Sequence, residues 1–150
     1  MPLRIAFAAD DDNETTRAVL AQLERGGHEV VTVTAATDWP TVGAAVGTAV
    51  VGGAADLGVV MCWTGTGTAI AANKVPGVRA ALAWDAWIAR GARLWNDANV
   101  LALSLKRLAP DVAAEVAQAF LDATEPDPDE AANIAAIAAI EQRAEPRSSP

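Results

Sequence analysis

Leu57-Gly-Val-Val-Met61-Cys62-Trp63-Thr64-Gly65-Thr66-Gly67-Thr68-Ala69-Ile70-Ala71-Ala72-Asn73-Lys74 decides how the rest of the chain is read. Leu57 to Met61 is an apolar run with the length and composition of a strand buried on both faces, and Thr68 to Ala72 is small-residue sequence that opens a helix. Between them the chain turns through two glycines. A strand that ends in a thiol and turns straight into a helix sets that thiol beside N–H groups with no intrahelical acceptor. Cys62, the single cysteine of the chain, therefore stands at a candidate active-site corner.

Working outward, the same alternation repeats. Leu3 to Ala9 reads as a buried strand ending in Asp10-Asp11-Asp12-Asn13, which can cap a helix. Glu14 to Arg25 carries Val19, Leu20 and Leu23 at helical spacing and stops at Gly26-Gly27. His28 to Thr34 is β-branched and reads as a second strand. Asp38-Trp39-Pro40 marks a turn near a helix start, and Thr41 to Gly53 is a helix of weak propensity that only close packing can hold. Beyond the central corner, Val78 to Ala83 is a fourth strand, Asp85 to Trp95 a helix and Val100 to Leu103 a fifth strand. Pro110 to Ala123 is an amphipathic helix with Val112, Val116, Phe120 and Leu121 on one side.

Strands alternating with helices imply an open parallel sheet covered on both faces, with ligands beyond the carboxyl ends of the strands. Asp10, Cys62, Trp84 and Ser104 fall near such ends. Glu125 to Asp129 is an acidic, proline-broken linker, and Glu130 to Arg143 is a helix with one stripe, Ile134, Ile137 and Ile140, expected to cover a partner subunit. The expected organisation is a main domain over 1–123, a linker and dimerisation helix of the same domain over 124–143, and a disordered tail over 144–150.

Composition narrows the partners. A chain of 150 residues is long enough for one domain with a core, burying about 70% of its unfolded surface. A formal net charge of −8 argues against nucleic acid, which needs a basic face. One cysteine allows no internal disulfide, and Met1-Pro-Leu-Arg leads straight into a strand, so the expected location is cytoplasmic. Two uncharged windows, Trp39 to Ala55 and Leu57 to Asn73, are short, rich in Gly and Thr and separated by Asp56. Buried strands and close-packed helices explain them better than membrane spans.

Several residues invite chemistry. Cys62 has two open readings: an inert core thiol, or a thiol activated by the helix N-terminus that follows it. The glycine pattern lacks the third glycine of a dinucleotide fingerprint. Asp10, Asp11 and Asp12 are either a solvated cap or acid/base and hydroxyl-binding carboxylates, since adjacent like charges raise at least one pKa. No metal is expected, because no second ligand cluster accompanies them and the one histidine, His28, opens a strand at the opposite edge. Trp63, Trp84, Trp87 and Trp95 lie in or after the expected ligand edge, where they either pack or line a pocket. Asn96 can donate an amide N–H to an oxyanion, and Asp97 can brace the loop after it.

Cys62-Trp-Thr-Gly-Thr-Gly-Thr-Ala-Ile-Ala-Ala-Asn-Lys-Val-Pro-Gly-Val-Arg-Ala-Ala-Leu82, followed by Asn96-Asp-Ala-Asn-Val-Leu-Ala-Leu103, resembles the ribose-5-phosphate isomerase B and galactose-6-phosphate isomerase family. The resemblance covers most of residues 3 to 123. It implies a Rossmann-like three-layer α/β/α sandwich with a five-stranded parallel sheet, and a homodimer, or a dimer of such dimers, with its active site at the subunit interface. It also implies a cofactor-free aldose–ketose isomerisation through an enediolate, on a small sugar or sugar phosphate. Cys62 matches the family's catalytic base, and Thr64, Gly65, Thr66 and Gly67 match its anion-binding turn. Asn96 matches the residue that stabilises the enediolate, and Asp10 the one that contacts substrate hydroxyls.

Other positions depart from the family. Asp11 stands where the family has a histidine after the first strand, and Trp95 where it has the ring-opening histidine. Trp63 replaces a small residue, Lys106 an arginine, and Glu130 and Ile134 fall where phosphate-clamping arginines belong. Charged hydrogen bonds of that kind contribute about 1.5 to 3 kcal/mol each, so ordinary ribose 5-phosphate is not the expected substrate. The expected catalytic set is Cys62, Thr64, Asn96, Asp10 and Asp11, with Gly65, Thr66, Gly67, Trp63, Trp95 and Lys106 around the substrate. Two other classes stay open: a non-catalytic sugar-binding or partner subunit, and a lyase or epimerase using Asp10 or Asp11 with Cys62.

Overall fold

Strand β3 (Leu57–Cys62) is buried along its whole length, as a central strand with no polar face must be. In the computed structural model, which describes residues 2–144, it sits in the middle of a five-stranded parallel sheet. The other strands are β1 (Arg4–Ala9), β2 (Glu29–Thr32), β4 (Ala80–Leu82) and β5 (Val100–Ser104), in the order β2-β1-β3-β5-β4. The helices are α1 (Glu14–Arg25), α2 (Trp39–Val51), α3 (Thr66–Asn73), α4 (Ala86–Asn96), α5 (Pro110–Asp122) and α6 (Ala131–Ala144), with a 3-10 turn at Pro128–Glu130.

Alternation along the strands builds two unequal faces. Ile5, Val59, Met61, Leu101 and Leu103 point into the larger core, which Val19 and Leu23 of α1, Ala89 and Ala92 of α4, and Val116 and Phe120 of α5 complete. Ala6, Ala8, Val60 and Ala102 point the other way, toward Val42 and Val46 of α2 and Ala69 and Ala72 of α3. Small residues on that second face let its helices approach closely. A Cβ built on Gly43 of α2 would lie 2.6 Å from the Thr68 carbonyl oxygen of α3. This is the packing that holds a helix with so little intrinsic propensity.

Helix boundaries follow local chemistry. Asn13 caps α1 in a capping box with Thr16, and Asp38 caps α2 by accepting the Thr41 N–H at 3.0 Å; hydrogen bonding from the Thr41 side chain, and then from that N–H, holds its carboxyl below the usual range. α2 thus opens at Trp39, two residues before the expected Thr41. β2 and β4 are shorter than expected. Arg79 gives its N–H to Asn99 Oδ1 at 2.7 Å, so the regular ladder of β4 begins only at Ala80. His28 stays outside β2, and its Nδ1 accepts the Leu3 N–H at 3.1 Å, a structural use of the one imidazole. Of the tail expected at 144–150, Ala144 closes α6 and residues 145–150 lie outside the described part. Among the described residues, no helix is long and apolar enough to cross a membrane.

The topology fixes where a ligand can sit. α1 leaves β1 toward one face, while α3 leaves the neighbouring strand β3 toward the other. Between two such departures the sheet edge opens into a crevice at the carboxyl ends. Asp10 and Cys62 stand on either side of it.

Candidate active site

The register sets the first two groups side by side. Ala9 pairs with Met61, and the Asp10 N–H donates to the Met61 carbonyl at 3.1 Å, which brings Asp10 next to Cys62. Ser104, in register with Cys62 across β5, donates its hydroxyl to the Trp63 carbonyl at 2.5 Å and receives the Arg107 N–H at 2.9 Å. Its side chain is fully buried and serves to lock the strand end, not the ligand space.

The turn after Cys62 requires a glycine at its centre. Gly65 caps α3 with φ of 79°, and its N–H donates to Cys62 Sγ at 3.2 Å. The Thr68 hydroxyl, fully buried, lies 3.3 Å from the same sulfur and 3.2 Å from the Gly65 carbonyl oxygen. Thr64 and Thr66 share a hydroxyl–hydroxyl bond of 2.6 Å at the mouth. The sulfur is thus met, at a helix N-terminus, by the Gly65 N–H and by a hydroxyl whose one proton it shares with the Gly65 carbonyl. Gly67, in the first turn of α3, lines the cleft and has an N–H with no intrahelical acceptor.

Asp10, Trp39, Cys62, Trp63, Thr64, Thr66 and Gly67 line a cleft of about 530 Å³. Burial, and then the nearby Asp11 carboxylate, push the Asp10 carboxyl above its usual range. Asp10 Oδ1 is buried and has no hydrogen-bond partner among the described residues. A group with a raised folded-state pKa adds no cost below its unfolded pKa and destabilises the fold as pH rises through the folded value. Asp10→Asn is therefore expected to raise the thermal midpoint at pH 7 and to leave it unchanged at pH 3, where the carboxyl is protonated in both states. Melting curves at the two pH values check this.

Two expected site residues are placed elsewhere. Asp11 Oδ1 accepts the Asp12 N–H at 2.8 Å and Asp11 Oδ2 the Trp63 Nε1–H at 3.3 Å, so both its oxygens are engaged outside the cleft lining. The Lys106 ammonium lies 4.5 Å from the Trp63 ring centroid, a cation–π contact. Both residues hold Trp63 from outside.

Asn96 and Trp95 are further away. β4 and β5 are parallel and α4 runs back between them, so α4 starts at the carboxyl edge and ends at the amino edge. Eleven residues of helix span about 16 Å. Asn96, the last of them, is on the opposite edge from its own chain's Cys62. Trp95 folds back over Gly91 and meets Trp87 edge-on, with ring centroids 5.4 Å apart. Asp97 caps α4 with φ of 49° and braces the loop through Arg79, at 3.1 Å, and Arg93, at 3.6 Å.

Trp39 and Thr68 were not singled out from the sequence as site residues. Trp39 reads there as a turn marker, although a residue that follows a strand and opens a helix lies at the carboxyl edge by topology. Thr68 carried a signal too: a hydroxyl in the first turn of the helix that follows the thiol.

A thiol at a strand end, held by a helix-mouth turn and sharing a cleft with a half-buried carboxylate at a topological switch point, marks the candidate site of a Rossmann-like α/β domain. The chain belongs to the ribose/galactose isomerase family, whose family model matches residues 5–137. Ribose-5-phosphate isomerase B of Escherichia coli (strain K12) is 34% identical over 145 residues, which cover 93% of this chain and 97% of that protein. D-erythrulose-4-phosphate isomerase of Pectobacterium atrosepticum is 40% identical over 85 residues, covering 57% of this chain and only 56% of that protein. The solved structure of Clostridium thermocellum ribose-5-phosphate isomerase B superposes with a TM-score of 0.87 at 34% identity, covering 95% of this chain and 99% of that one.

Proposed function

We propose that this chain is a sugar isomerase that moves a proton between C1 and C2 of an open-chain aldose and ketose, with Cys62 as the base. The observation that carries the proposal is the sulfur itself, met by the Gly65 N–H and the Thr68 hydroxyl in a cleft whose other polar wall is Asp10. Membership of the family, and relatives named as isomerases of ribose 5-phosphate and D-erythrulose 4-phosphate, support the reaction class. The substrate remains this chain's own.

In the proposed step the Cys62 thiolate takes the proton from C2 of the aldose. The C2–H electron pair becomes the C1=C2 double bond, and the carbonyl electron pair settles on O1. First-turn N–H groups of α3, at Gly67 above all, stabilise the resulting enediolate. The proton then passes from sulfur to C1 while the O2 proton moves to O1, and the ketose results. Asp10 accepts a substrate hydroxyl.

Asn96 enters this scheme only through a second copy of the chain, because its own Cys62 lies at the other edge of the sheet. A homodimer that joins the carboxyl edge of one copy to the α4 end of the other is therefore part of the proposal. The exposed Ile140 of α6 gives that helix an apolar stripe suited to the same assembly.

Incubation with free and phosphorylated aldoses in deuterated water tests the reaction. Deuterium is expected at C2 of the aldose that is turned over. A panel in which no sugar gains deuterium would remove the assignment.

A further inference from the structure

Within one chain, the cleft over Cys62 has two indole walls and no basic one among the described residues. Trp39 and Trp63 are 46% and 58% exposed, and no lysine or arginine joins them in the lining among the described residues. Neither ring is loose. A Cβ on Gly67 would lie 2.9 Å from the Trp39 ring, so the absent side chain is what lets that indole rest against the turn. Trp63 is held by Asp11 through its N–H and by Lys106 over its face. The Lys106 ammonium is thereby engaged with a ring.

At the floor, Asp10 Oδ1 is a buried acceptor with no donor. A sugar hydroxyl supplies the missing proton, while a phosphate group lying in the cleft would face the carboxylates of Asp10 and Asp11. Indole faces, for their part, suit the apolar C–H face of a sugar ring or chain.

We infer that this cleft takes an unphosphorylated sugar, with its C–H face against Trp39 and Trp63 and one hydroxyl donating to Asp10. The two tryptophans set the substrate class, and Asp11 and Lys106 act as positioning residues for Trp63. The inference rests on the site of the isomerase reading but not on turnover, so binding tests it separately.

The test uses the full chain, labelled with nitrogen-15, titrated with D-ribose, D-xylose, D-galactose, ribose 5-phosphate, galactose 6-phosphate and inorganic phosphate. Indole N–H resonances assigned through Trp39→Phe and Trp63→Phe report the site. At least one free sugar is expected to shift both resonances and to bind about tenfold more tightly than its phosphate ester, with no response to inorganic phosphate. Trp63→Ala should weaken that sugar about tenfold, and Trp63→Phe much less. In the same titration Lys106→Met should weaken that sugar about threefold and move the Trp63 indole resonance, with Lys106→Arg restoring the parent affinity.

A panel in which no free sugar binds more tightly than its ester overturns the inference, as does a Lys106→Met variant that loses affinity for esters alone. Free-sugar binding without deuterium exchange would instead remove the isomerase reading and leave the substrate class standing. Tight ester binding with exchange would do the reverse.

Discussion

Cys62→Ala is expected to lower kcat for deuterium exchange by about 10² to 10⁴-fold, the usual contribution of a positioned general base. Cys62 is 4% exposed, which suits either a packed thiol or a base at the floor of a cleft. The two differ in what removal costs. A packed thiol contributes stability alone, so its loss lowers the thermal midpoint and leaves kcat where it was. A base contributes to the transition state, so its loss lowers kcat whatever happens to the fold. Cys62→Ser sharpens the comparison, because the hydroxyl keeps an acceptor for the Gly65 N–H and fills nearly the same space. Its oxygen is far less ready to give up a proton, and the variant should fold like the parent and exchange at the rate of the alanine form. Equal activity in parent and Cys62→Ala, measured on the sugar that exchanges, would show that another group moves the proton.

The neighbourhood of the sulfur was legible because its signals are local. An apolar run, a thiol and two glycines specify a strand, a site and a turn within eleven residues, and the structure places β3 and α3 accordingly. α1 was legible for the same reason, with Asn13 as cap and Val19 and Leu23 one turn apart on the buried face. Long-range placement was less so. The sequence reads a helix that ends at Trp95, one residue short of the observed end, yet which sheet edge that end reaches depends on β4 and β5 being adjacent and parallel. Nor does local pattern reveal that Asp11 and Lys106 meet across 95 positions of chain at the indole of Trp63, since that contact comes from the neighbouring ends of β1, β3 and β5. Trp39 joins the cleft through the close approach of α2 and α3, which glycines at 43 and 67 permit. Propensity speaks against α2, and packing overrides it.

Gly65→Ala is expected to lower stability by about 3 kcal/mol and to impair exchange as well. Two costs combine at this position. The left-handed backbone, with φ of 79°, costs a residue with a Cβ about 1 to 2 kcal/mol. The added carbon would also lie 2.5 Å from Leu82 Cδ1 and 2.9 Å from the Leu103 carbonyl carbon, and overpacking of that kind costs about 1 to 3 kcal/mol. Leu82 can rotate; the backbone of a fully buried strand cannot move without disturbing β5. At about 2 to 4 °C per kcal/mol for a chain of this size, the thermal midpoint should fall by about 6 to 12 °C. Gly53→Ala separates the terms, because Gly53 has φ of 82° and open space around its would-be Cβ. It should lose only the backbone contribution, about half as much or less. The two variants also differ in function. Any shift that relieves the clash at Gly65 moves the N–H that meets Cys62 Sγ, so Gly65→Ala should lose exchange activity at temperatures where it is still folded, while Gly53→Ala keeps it. Equal midpoints for the two variants would show that the turn yields where the packing says it is fixed.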